Sequence, residues 1–193
     1  MKRTTSVKKI AGMKTFPAVI TVLAALAIAS VVMTSVWQIP QATASSLEEI
    51  KVSREIYAPM DQVWNVVSDI DNETKYWSTF KTIKNINMTA INMTANTTER
   101  EVTLLTGPLG ETITHQFVTV NPELRLIQTN ITEGPVTGSK VITLIPLSDN
   151  KTKVDVLWNL DLSSIPALVR GFAKANFMKT TEEALNRIAQ IAE

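Results

Sequence analysis

The chain holds a single histidine, His115, and no cysteine, so its options for chemistry are few from the outset. Histidine is the one side chain whose ordinary pKa lies near neutrality, which makes His115 the natural candidate for acid–base work. It alternates with Ile113 and Phe117, and so shares a strand face with apolar residues. A face of that kind turned inward would set His115 and Phe117 against a ligand, while the competing expectation is a hydrogen-bonded structural histidine. Trp158 keeps step with Val154, Val156 and Leu160, which predicts an inward ring that packs the core or lines a ligand. Asn176 interrupts an apolar stretch between Phe172 and Phe177, where a polar group could orient a ligand's head or simply face solvent. With Trp77, the candidate ligand-lining set is Trp77, His115, Phe117, Trp158, Phe172 and Asn176. No residue is assigned a catalytic role, because nothing in the sequence places a serine beside His115.

Several chemistries drop out. Without cysteine there are no disulfides, thiol nucleophiles or thiolate metal sites, and one histidine cannot build a multi-histidine site. Asp69 and Asp71, beside Asn72 and Glu73, lack the glycine and distant glutamate of a calcium loop and are expected to end a helix. The six glycines never form a phosphate-binding pattern. No metal and no cofactor are expected. The charge is unevenly placed. Lys2, Arg3, Lys8, Lys9 and Lys14 are the only charges before Glu48, leaving 14 of the 19 Lys and Arg against 18 Asp and Glu in the remaining 149 residues, a net of −4. A mildly acidic domain is a poor partner for nucleic acid, whose phosphates demand clustered cations. About 150 residues suits one domain, and a monomer is the expected state.

The elements that must position those side chains follow from periodicity. Ile50, Val52, Arg54 and Ile56 alternate as a first strand that Ala58-Pro59 ends. Asp61, Val63, Trp64, Val67 and Ile70 fit a short helix, and residues 72–77 a second. Turn signals at Gly107-Pro108-Leu109-Gly110, Asn121-Pro122, Gly134-Pro135 with Gly138, and Asp149-Asn150 then divide strands near 81–93, 97–106, 111–120, 124–132, 138–147 and 152–162. Connections this short predict antiparallel neighbours in one curved sheet. Leu168, Phe172, Ala175, Met178, Leu185, Ile188 and Ile191 recur at helical spacing within 166–192, a long helix with Ser163 and Ser164 as caps and one apolar side for the sheet to cover.

The first 44 residues differ in kind. Residues 15–37 carry no charge, and 23 residues at ~1.5 Å each span about 34 Å, enough for a hydrocarbon core of ~30 Å. The basic segment 1–14 precedes this run, so it should stay cytoplasmic, with 38–49 a linker to a domain, 50–193, on the extracytoplasmic side of a cell membrane. The run reads as a retained single-pass anchor or as a signal peptide cleaved after Ala44, which would secrete the domain. Asn-x-Thr triplets at Asn72, Asn87, Asn92, Asn96, Asn130 and Asn150 are glycosylation candidates that agree with export, where chance would give roughly two. Ile86–Ala90 and Ile91–Ala95 repeat one pentapeptide, so for Asn87 and Asn92 both to carry sugar a bulge or turn must intervene near Thr89 or Ala90.

The stretch Val52-Ser53-Arg54-Glu55-Ile56-Tyr57-Ala58-Pro59, followed by Val63-Trp64, Val67-Ser68-Asp69-Ile70-Asp71 and Tyr76-Trp77, resembles the START-like (SRPBCC) superfamily of polyketide cyclases/dehydrases, coenzyme-Q-binding proteins and lipid-transfer domains. The resemblance covers roughly residues 50 to 192. It implies an α+β helix-grip fold: one strand, two short helices, six antiparallel strands and a long C-terminal helix gripped by the curved sheet over an apolar cavity. With the N-terminal run added, the leading expectation is a membrane-tethered, non-catalytic binder or transporter of a hydrophobic small molecule, such as a lipid, an isoprenoid or a polyketide-like compound. The alternatives are a cyclase or dehydratase with His115 as base, and a glycosylated surface module that binds another protein. A fold so widely shared does not choose among them.

Overall fold

The computed structural model describes residues 47–92, 95–105 and 110–193. Ser45–Glu193 forms a compact unit of its own. The expected membrane run 15–37 and part of the predicted Gly107-Pro108-Leu109-Gly110 turn lie outside the described residues. Among those described, no helix is long and apolar enough to cross a membrane.

Seven strands form one antiparallel sheet: β1 Leu47–Ile56, β2 Phe80–Asn92, β3 Ala95–Leu105, β4 Glu111–Asn121, β5 Leu126–Glu133, β6 Thr137–Ser148 and β7 Lys151–Asp161. The spatial order is β1-β7-β6-β5-β4-β3-β2, so β2 to β7 follow one another as hairpins and β1 returns to pair with β7. Helix α1, Met60–Val67, and a 3-10 helix, Ile70–Lys75, bridge β1 to β2, and helix α2, Ala167–Ala192, closes the chain. This is the helix-grip arrangement. β1 begins at Leu47, so the last three residues of the expected linker belong to the strand.

The alternation of side chains gives the sheet one covered face. Ile50, Val52, Val102, Val118, Ile127, Ile142, Val154, Val156 and Leu160 lie there, with α1 and part of α2 against them. Two backbone details fix its ends. Gly138 sits at φ +135° where a Cβ would fall 2.1 Å from Asn159 O, so only glycine lets β6 start this close to β7. At the opposite end of the sheet Arg125 takes a φ of 49° in the β4–β5 turn and sends its guanidinium to Asp61, over the Trp64 ring, which ties α1 to that turn. β2 shifts register between Asn85 and Asn87 and again between Ala90 and Asn92. The second shift lies beside Ala90, where a break would be needed for both Asn87 and Asn92 to carry sugar.

Two expectations about α2 need correcting. Its start is not capped by serine: Pro166 is the N-cap without a side-chain bond, Ser164 donates to Pro135 O at 2.6 Å, and the Ser163 N–H bonds Asp161. The covered stripe is also rotated. Thr181, Ala184, Leu185, Ile188, Ala189 and Ala192 are buried with Phe177 beside them, whereas Leu168, Phe172, Ala175, Met178 and Ile191 are exposed. Small alanines let a helix backbone approach a sheet closely, and a count of large apolar residues does not register them.

Candidate functional site

The covered face carries a charged cluster. Glu73, Arg100 and Lys140, from the 3-10 helix, β3 and β6, are all buried, and Arg100 and Glu73 have no exposed surface. Glu73 is bonded by the Arg100 guanidinium on one oxygen and by Lys140 Nζ at 3.1 Å on the other. Arg100 also donates to Ile70 O at 3.0 Å and to Gln116 Oε1 at 3.1 Å, while Gln116 donates to Thr114 Oγ1 at 3.1 Å. A donor of a buried ion pair left empty would cost free energy, and here the Glu73 carboxylate, the Gln116 amide oxygen and the Ile70 carbonyl accept from Arg100.

Local sequence explains how each member arrives. Lys140 stands in phase with Ile142 and Leu144 on β6, and Arg100 in phase with Val102 and Leu104 on β3, so strand alternation alone delivers both cations to the covered side. Glu73 reaches them because the 3-10 helix lays its one buried residue across the sheet. Burial disfavours the Glu73 carboxylate, yet the Lys140 and Arg100 charges outweigh it and hold the carboxyl below its ordinary range. Burial likewise pushes the Lys140 ammonium down, and Glu73 only partly restores it. Burial and the nearby Glu73 charge push the Tyr76 phenol up, so its hydroxyl remains a proton donor, toward Val67 O at 3.4 Å.

Aromatic rings surround Lys140. Its Nζ lies 4.5 Å from the centroid of Trp77, 5.5 Å from Trp158 and 5.6 Å from Phe80, distances at which ring faces attract a cation. Trp77 and Trp158 meet edge to face at 5.7 Å, and Phe177 of α2 meets Trp158 at 5.4 Å. The Trp158 Nε1–H donates to Thr181 Oγ1 at 3.0 Å, a bond that joins β7 to α2. Two polar atoms of this interior have no hydrogen-bond partner among the described residues: Trp77 Nε1 and Thr129 Oγ1. Thr129 stands directly opposite Lys140 in the β5–β6 register. The rings fill this interior themselves, and the expected apolar cavity between sheet and helix is occupied by Trp77, Phe80 and Trp158.

Of the residues picked from sequence, Trp77 and Trp158 meet in this interior. His115 and Phe117 do not: Thr114, Gln116 and Val118 take the covered side of β4, which leaves Ile113, His115 and Phe117 on the other face. His115 Nε2 lies 3.3 Å from a Glu101 carboxylate oxygen and is part-exposed there. Apolar neighbours chose the wrong side because the covered side is unusually polar, its Thr114 and Gln116 being paid for by the Arg100 network. Phe172 is 78% exposed and Asn176 faces solvent. Glu73, Arg100, Lys140 and Thr129 escaped the sequence reading. For Lys140 and Arg100 the signal existed as a charge in phase with buried aliphatic residues; for Glu73 there was none. Helix α1 ends at Val67, ahead of the acidic stretch: Asp69 starts the 3-10 helix, Asp71, Asn72 and Glu73 lie inside it, and Asn72 Nδ2 donates to Asp69 at 2.8 Å. No group of metal-ligating side chains occurs among the described residues.

Asn87, Asn96, Asn130 and Asn150 are exposed and Asn72 is half-buried, while the Asn92 side chain lies outside the described residues. Two surface clefts occur away from the cluster, one of about 390 Å³ between Pro59–Asp61 and Pro146–Asp149 and one of about 60 Å³ between β1 and α2.

A family model described as polyketide cyclase / dehydrase and lipid transport matches residues 48–193. No curated protein matches the chain by sequence. Among solved structures, a protein from Thermus thermophilus superposes with a TM-score of 0.63 at 15% identity, over 75% of this chain and 97% of its own. The Zhui aromatase/cyclase from a Streptomyces species gives 0.63 at 15% identity, over 76% and 93%. A START superfamily protein from Mycobacterium smegmatis gives 0.51 at 15%, over 74% and 92%. At these identities the likeness is one of fold.

Proposed function

The chain belongs to the polyketide cyclase/dehydrase and lipid transport family, and from that premise we propose that it is a membrane-tethered, extracytoplasmic module that binds or carries a hydrophobic small molecule. The family suggests a hydrophobic ligand, with cyclase or dehydrase activity found in the same fold, as in the Streptomyces aromatase/cyclase. The observation that carries the binding reading is the interior around Lys140. The rings of Trp77, Phe80 and Trp158 are already buried, so a guest reaches apolar surface there, worth ~25 cal/mol per Å², by moving them apart. The unspent Trp77 Nε1 and Thr129 Oγ1 favour a guest with a hydrogen-bond acceptor at one end, such as the head of a lipid, an isoprenoid or a polyketide-like ketone. The tether rests on the uncharged run 15–37 behind a basic segment, and export is supported by the exposed Asn-x-Thr sites.

The test is extraction of purified residues 45–193 with organic solvent, followed by mass spectrometry and titration with a lipid panel. A stoichiometric lipid or isoprenoid supports the reading, and its release by Lys140→Met and Trp77→Phe would place it at this site. No co-purifying lipid together with no binding to the panel would sink it. A second reading, a glycosylated surface module with a self-filled interior, draws on one observation: Trp77, Trp158 and Tyr76 are themselves almost fully buried in the space a guest would use. An enzyme with His115 as base gains nothing from the geometry, since that imidazole stands on the sheet face opposite the interior.

A further inference from the structure

The first half of α2 is an apolar surface with nothing of the described chain over it. Leu168 is 99% exposed, Phe172 78%, Val169 47% and Met178 40%, and they are gathered within the first half of the helix. Exposed aliphatic and aromatic side chains gathered on one short stretch mark an interaction site. Its charges say what kind. Arg170, Lys174 and Lys179 are the only ionisable groups of α2 before Glu182. Lys174 is paired with Glu48 at 2.8 Å, Lys179 lies 3.8 Å from Glu183, and Arg170, bonded to the Ser163 and Ile165 carbonyls, stands in the field of Asp161. Each cation is thus answered by a carboxylate, and the surface is close to neutral. An apolar surface without a net field fits an apolar interface better than an acidic partner.

Chain length supplies the occupant. Lys174 grips Glu48 at the very start of β1, so this half of α2 lies beside the point where the chain enters the domain. Between Trp37, the last residue of the uncharged run, and Leu47 stand nine residues, Gln38–Ser46, which extend to about 30 Å at most. We propose that Leu168, Val169 and Phe172 dock this half of α2 onto the bilayer that the N-terminal run spans, entering its interface and turning the Trp77–Lys140–Trp158 interior toward the lipid. The proposal rests on the anchor reading given above. Three side chains hold a free protein to a membrane weakly, in the way that one acyl chain does, but a tether of nine residues keeps the surface at high local concentration. Docking therefore needs no anionic lipid and little depends on salt.

The absence of native cysteine makes the test direct. The full chain carrying Leu168→Cys, Phe172→Cys or, as control, Leu124→Cys is labelled with an environment-sensitive fluorophore and reconstituted into phosphatidylcholine vesicles with spin-labelled acyl chains. Leu124 is 65% exposed in the β4–β5 turn, at the other end of the sheet. The expected result is flotation with the vesicles and quenching about twofold or more at 168 and 172, with little at 124. Flotation with equal, weak quenching at all three positions overturns docking and leaves the anchor standing. Failure to float overturns the anchor, and docking falls with it. Shielding of 168 and 172 in detergent without lipid, accompanied by a doubled particle mass, makes a second copy the occupant and overturns docking as well.

Discussion

Along α2 similar residues meet different fates. Leu185 and Ile188 are about 1% exposed, whereas Leu168 and Phe172, on earlier turns of the same helix, are almost bare. The difference lies in what the opposite wall offers. Facing the second half are Trp158, which donates to Thr181, and the helix α1 with its buried Val63, Trp64 and Val67. The first half is held instead by polar ties, Lys174 to Glu48 and Arg170 to the carbonyls before the helix. Packing locks one half, and the other is positioned but uncovered. A fold that must admit or approach an apolar guest gains from keeping one end of its closing helix free of the core.

The largest expected effect comes from the buried charges of the covered face, which Trp158 connects to the gripped half through Thr181. Glu73→Gln leaves Arg100 and Lys140 buried without their carboxylate, and the expected loss is about 3–5 kcal/mol in urea unfolding of residues 45–193. A loss below about 1 kcal/mol would mean that the cluster is hydrated rather than dry. Leu185→Ala should cost about 2–5 kcal/mol through the lost contacts and the cavity left behind. Thr181→Val keeps the volume but strands the Trp158 Nε1–H, with an expected cost of about 1–3 kcal/mol.

Acid should reveal the same cluster. Because the folded Glu73 carboxyl is held below its ordinary value, the unfolded chain takes up that proton first as pH falls. The contribution is complete above the ordinary carboxylate range and is lost as pH drops through the lowered folded value. The urea midpoint should fall from about pH 5 to about pH 3 more steeply in the native protein than in Glu73→Gln. The smallest effect belongs to the free half: Phe172→Ser should change stability by no more than about 0.5 kcal/mol, since the ring covers little in the folded domain. A loss comparable to that of Leu185→Ala would erase the distinction between the halves.

Much of the frame was legible residue by residue. Val154, Val156, Trp158 and Leu160 alternate, and β7 follows them; Ala58-Pro59 ends β1 within two residues of where the strand stops. The antiparallel pairing of β2 to β7 followed from turn signals and short connections, whereas the pairing of β1 with β7 joins strands far apart in the chain and had no such signal. The site was less legible. Lys140 and Arg100 kept the phase of buried residues, but a charge in a strand is ordinarily read as solvent-facing, and only a partner distant in sequence makes its burial tolerable. Glu73 lies 27 residues from Arg100 and 67 from Lys140, beyond any local pattern. His115 and Phe117 show the converse, since an alternation fixes two faces and leaves open which of them is covered.

Sequence by itself determined the elements and their order along the chain, because hydrophobic period, proline, glycine and turn residues act within a few positions of chain, and the helix-grip class was implied by the resemblance to the START-like superfamily. Tertiary structure alone decided which stripe of α2 meets the sheet, which face of β4 is inside, and that three charges share one buried site beside aromatic rings. Those outcomes depend on the summed fit of surfaces brought together from far along the chain, where a single carboxylate can reverse the cost of burying two cations.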